Sequence, residues 1–154
     1  MNFALRSFTN DRTLAITVAG EWLTDLGKRT ASPSYYLALS GGRIAKRLFE
    51  AITAQVKNQH INLDSVHFFW GDERCVPPND PESNFAAANH SLLKLLNVAA
   101  SQVHRVQGEL LPEKAATQAE AEMRQIVPSN PMRQPVLDLI LLGIRRRAAA
   151  TVPL

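Results

Sequence analysis

The segment Val66–Trp70 (VHFFW) is apolar on both parities of a two-residue repeat and then meets Gly71. A strand of that composition has no face to give to water, so it belongs inside a sheet covered on both sides. Gly71 ends it, and Asp72, Glu73 and Arg74 follow at once. Three charged side chains are thereby placed at the carboxyl end of a central strand, the edge where open α/β sheets put their ligands. The same word recurs twice: Tyr35–Leu39 (YYLAL) runs into Ser40-Gly41-Gly42, and Val136–Leu142 (VLDLILL) runs into Gly143. Three buried strands, each closed by a glycine turn, predict an α/β fold built on a doubly wound, mostly parallel sheet with flanking helices. The glycine turns would then converge on one edge.

The intervening chain supplies the helices. Asn10 or Asp11 is placed to cap a helix reaching about Lys28, with Leu14, Val18, Trp22, Leu23 and Leu26 among its apolar positions. A second helix begins near Arg43 and carries Ile44, Leu48, Phe49, Ile52 and Val56 on one face. Pro77, Pro78 and Pro81 make the segment after Cys75 a rigid extended loop, and Ser83 or Asn84 caps a helix to about Leu96. Pro112 opens a last helix through Ile126. Phe3 to Phe8 alternates well enough for a short first strand, and Val103 to Val106 reads as another.

Composition excludes several functions. The 154 residues suit one domain. The net charge of +3 is carried entirely by Arg145, Arg146 and Arg147, since removing them leaves 14 basic against 14 acidic residues. No basic stripe interleaved with aromatics marks a nucleic-acid binder. A single cysteine, Cys75, and four histidines without helical ligand spacing imply no disulfide framework and no metal. No apolar run is long enough to cross a membrane and no leader pattern opens the chain, so the expected location is cytoplasmic. No cofactor is implied.

Two features carry candidate chemistry. Ser40-Gly41-Gly42 before a helix is either a tight turn or an anion seat, because glycine admits close approach and a helix start offers free N–H groups. Asp72 and Arg74 are either a local ion pair bracing the loop or site residues. Glu73 is less suited, since adjacent side chains cannot all enter one pocket. Ser83 and Asn84 line the site or merely cap the next helix. His67 reads as a satisfied structural histidine.

LALSGGR at 37–43, FFWGDERCVPPNDPESN at 68–84 and LDLILLG at 137–143 resemble the 6-phosphogluconolactonases, within the wider group of sugar-phosphate isomerases and deaminases. The resemblance implies hydrolysis of 6-phospho-D-glucono-1,5-lactone to 6-phosphogluconate, a step of the oxidative pentose phosphate pathway. The partner would be a phosphorylated sugar lactone. Carried onto this sequence, it assigns Asp72 and Arg74 to catalysis, and Ser40, Gly41, Gly42, Arg43, Arg74, Ser83 and Asn84 to substrate binding. An amino-sugar-phosphate deaminase or isomerase is the alternative on the same fold, and a non-catalytic sugar-phosphate-binding remnant is another. After the third strand the family continues with a turn of the form G-x-G-x-D-G-H-T-A-S, whose histidine is taken as general base. Here Gly143 is followed by IRRRAAATVPL, with no histidine, so the resemblance implies a domain at residues 1–143 and leaves 144–154 as a non-matching basic tail. That switch reads either as a reading-frame change with an early stop or as a natural short variant with a solvated basic tail, and an open sheet edge with marginal stability is the expected consequence.

Overall fold

A computed structural model describes residues 4–29 and 34–143. Phe3, residues 30–33 of the first connector and the basic tail at 144–154 lie outside the described residues. The elements run α1 Asp11–Lys28, β1 Tyr35–Leu39, α2 Arg43–Gln59, β2 Val66–Trp70, α3 Asn84–Ala88, β3 Val103–His104, α4 Pro112–Ile126 and β4 Leu139–Ile140. The four strands form one parallel sheet in the order β3-β2-β1-β4. β1 and β2 pair over their full length, from Tyr35 opposite Val66 to Leu39 opposite Trp70. The Asp72-Glu73-Arg74 segment therefore does leave a central strand.

Strand parity divides the core. Tyr35, Leu37 and Leu39, with Val66, Phe68 and Trp70, face α1, α2 and α3 in the main cluster, where Leu37, Leu39, Val66 and Phe68 have no exposed surface. Ala38 and Phe69 point to the other face and meet Val127, with Met123 and Ile126 of α4 packed on them. Helices thus cover both faces, as the consecutive apolar positions of the two central strands require.

Four boundaries differ from the sequence reading. Residues 4–8 form no strand, and Leu5 is 87% exposed: alternation alone cannot make a strand where no neighbour offers a ladder. The run at 136–142 is not buried throughout. Only Leu139–Ile140 is regular, paired on one side with β1, and Ile140 and Leu142 are exposed. Asp138 sits at this edge, its carboxylate accepting from the Tyr36 N–H at 2.8 Å. The helix expected from 84 to 96 is regular only to Ala88, then widens by a residue per turn over Asn89–Leu93 and tightens over Lys94–Leu96. Asn97 ends it in the left-handed region. β3 is two residues long where four were expected.

Candidate functional site

The three glycine turns meet on one edge. Gly71 N–H donates to Leu39 C=O at 2.8 Å, and a Cβ on Gly143 would lie 3.6 Å from the Gly41 carbonyl. At their meeting point β1 passes into α2 through Ser40, Gly41 and Gly42. Gly42 holds φ 99° and ψ 177°, a conformation open essentially to glycine alone. It caps α2 without any side-chain bond to the first-turn N–H groups. A 17-residue helix thus starts with donors and a positive dipole end turned outward.

A cleft of about 370 Å³ opens at that start, lined by Gly42, Arg43, Lys46, Arg74, Glu82, Ser83 and Asn84 among others. Three cations converge there from two separate segments. Arg43 and Lys46 come from the first turn of α2 and Arg74 from the loop after β2. Lys46 escaped the sequence reading; its position three residues after Arg43 on a helix that starts at the glycine turn was the available signal. Arg74 is held from behind. A Cβ on Gly108 would overlap the Arg74 carbonyl, so the turn after β3 can sit against the Arg74 backbone only as glycine.

The acidic residues separate as adjacency demanded. Asp72 turns toward β1, its Oδ1 accepting from Ser40 Oγ at 2.9 Å, and no ion pair joins it to Arg74 among the described residues. The bracing ion pair is thereby absent. Glu73 turns the other way and fills the start of α3. Its Oε1 accepts from Arg74 N–H and Asn84 N–H, both at 2.7 Å; its Oε2 accepts from Phe85 N–H at 2.8 Å and Ser83 Oγ at 3.1 Å. Ser83 Oγ in turn accepts from Ala86 N–H at 3.1 Å. The Ser83 hydroxyl is therefore committed to the cap, although the residue borders the cleft. Asn84 is 4% exposed; its Nδ2 donates to the Asp72 carbonyl at 3.0 Å, and its carboxamide occupies the space beside Gly41.

A second cavity, of about 200 Å³, adjoins Ser40 and Gly41 but is walled by Leu14, Val18, Ile44, Leu48 and Leu142. Its lining is mostly apolar and suits no anion. None of the four histidines borders the cationic cleft. His67 and His104 lie on the α4 face, with His67 Nδ1 2.9 Å from His104 Nε2 and His104 Nδ1 2.8 Å from Glu122 Oε1. That bears out His67 as a satisfied structural residue. No group of three or more potential metal ligands exists among the described residues, and no helix there is long and apolar enough to cross a membrane.

Residues 9–144 match the family described as glucosamine-6-phosphate isomerases/6-phosphogluconolactonase. The chain belongs to that family. It is 35% identical over 109 residues to the 6-phosphogluconolactonase of Haemophilus influenzae, covering 71% of this chain and 45% of the relative. With the Treponema pallidum 6-phosphogluconolactonase it shares 38% over 109 residues, covering 71% and 44%. The crystal structure of the devB protein superposes with a TM-score of 0.81 at 33% identity, over 91% of this chain and 57% of that one. The chain thus spans under half the length of these two lactonases. The parallel four-stranded sheet with helices on both faces is the family's α/β architecture.

Proposed function

We propose that residues 1–143 form a sugar-phosphate-binding α/β domain of the 6-phosphogluconolactonase type, whose substrate is 6-phospho-D-glucono-1,5-lactone. The observation that carries this is the convergence of Arg43, Lys46 and Arg74 on the uncapped start of α2. A phosphate there meets backbone N–H donors, a favourable dipole end and guanidinium forks that match its oxygens. Sugars without phosphate would gain none of these.

Lactone hydrolysis adds water to the carbonyl carbon, breaks the ring C–O bond and releases the acid with its proton. Seating the phosphate fixes the distance from the carbonyl to the rest of the edge. Asp72, exposed and already bonded to Ser40 Oγ, is the carboxylate positioned to orient the water. Arg74 serves the phosphate and the charge that grows on the carbonyl oxygen. Ser40, Gly41, Gly42 and Arg43 contact substrate at the turn, with Asn84 and Ser83 forming the far wall.

A second reading, binding without turnover, is favoured by the absence of any histidine from the cleft. The test separates the two. The chain is titrated calorimetrically with 6-phosphogluconate and with gluconate, and lactone hydrolysis is followed beside the spontaneous reaction. Binding of the phosphorylated acid alone, with accelerated hydrolysis, is the expected result; binding without acceleration selects the second reading. Equal binding of both acids, or of neither, overturns the phosphate seat.

A further inference from the structure

We propose that Glu73 is a positioning residue that sets the geometry of the phosphate turn through Asn84; this rests on the start of α2 being the phosphate seat. Opposite the first turn of α2, the cleft is lined by two segments ten residues apart, around Arg74 and around Asn84, and a single atom holds both. Glu73 Oε1 accepts from the N–H of Arg74, which carries a cation of the cleft, and from the N–H of Asn84, which packs on the glycine turn. The second oxygen fixes Ser83 and Phe85 and so closes the loop between. With its backbone held there and its Nδ2 bonded to the Asp72 carbonyl, the Asn84 side chain has one place to go. That place is against Gly41: a Cβ on Gly41 would fall within the carboxamide of Asn84. Gly41 is thus required by a contact and not by its own backbone angles, whereas Gly42 beside it carries the positive φ and has open space around it. The register runs from Glu73 to Asn84, from Asn84 to Gly41, and from Gly41 to the conformation of Gly42.

Glutamine at position 73 keeps the volume but leaves one acceptor oxygen where two served, and turns an NH2 toward donors. The experiment follows backbone amide resonances of the free chain and of the chain titrated with inorganic phosphate and with 6-phosphogluconate. In Glu73→Gln the Gly41 and Gly42 amides are expected to move in the free chain, and affinity for both probes to fall roughly 10-fold. Asn84→Ala leaves all four bonds to Glu73 in place, because Asn84 contributes only its backbone to them, and should move the same glycine amides while those of Phe85 and Ala86 stay. Gly41→Ala should lower the melting temperature by itself and do so less in the Asn84→Ala background.

Glycine amides that stay in place in Asn84→Ala, or a Gly41→Ala penalty that Asn84→Ala does not relieve, would overturn the coupling and leave Glu73 a helix cap. The reading of the phosphate seat fails separately: if the unmodified chain binds neither probe while the glycine shifts persist, the seat is overturned and the coupling stands.

Discussion

Two helices begin at the same sheet edge, and their starts are used in opposite ways. α2 starts at Gly42 with no side chain turned onto its free N–H groups and with Arg43, Lys46 and Arg74 around it. α3 starts at a buried Ser83, and its donors are consumed: Asn84 and Phe85 by Glu73, Ala86 by Ser83. Both have the donors and the dipole end that any helix start provides. What separates them is one internal carboxylate. An anion built into the chain turns a helix start into a structural joint, and its absence at α2 leaves the same groups for a ligand.

Breaking the joint should give the largest effect. Glu73→Ala strands three backbone donors and the Ser83 hydroxyl at a half-buried site, for a loss of about 3 kcal/mol. For a domain of this size that is a fall in melting temperature of roughly 10 °C. Arg74→Ala does the reverse. It removes a cation from the open start, so affinity for 6-phosphogluconate should fall by roughly 30-fold, or about 2 kcal/mol, with the melting temperature almost unmoved. Calorimetric titration and thermal melts on both variants check the contrast; a collapse of stability in Arg74→Ala would erase it. Ser83→Ala is smaller, about 1 kcal/mol, the usual value of an N-cap hydroxyl, and the same thermal melts measure it.

The contrast was half legible in the sequence. The apolar runs at 35–39 and 66–70 were readable as buried strands because both parities are apolar, and burial on two faces is what composition reports best. Asn10 was readable as a cap, and its Oδ1 does accept from Thr13 N–H at 2.8 Å. The run at 136–142 misled because apolar content does not say how many neighbours a strand has, and among the described residues this one has a neighbour on one side only. Within the run at 3–8, the described residues 4–8 misled because alternation does not supply a neighbouring ladder. At the site, Asp72 and Arg74 stood out as charges directly after a strand. The commitment of Glu73 to a helix start ten residues later did not, because the proline loop that returns the chain to it carries no local signal of its end point. Gly41 and Gly42 look alike on paper, yet one is glycine for a contact and the other for its φ.

The smallest expected effect asks whether the edge is the only part of the molecule that responds to charge. On the α4 face His67 lies between a tilted Tyr36 ring and a stacked His104 ring, and burial, together with the neighbouring imidazole, lowers its pKa below the ordinary 6.5. Between that lowered value and 6.5 the unfolded chain binds more protons than the folded one, so stability rises with pH across this window and is fully present above it. Acidification from pH 8 should therefore cost stability as the pH falls through about 6.5, before the carboxylates titrate. The Glu109 carboxyl, held down to about 2 by the Arg105 guanidinium, has a depressed folded pKa and loses its contribution only at more acid pH. Chemical denaturation at pH 8, 7, 6 and 5 measures the slope, and His67→Gln should flatten it; a slope unchanged in His67→Gln would place the acid sensitivity away from the α4 face.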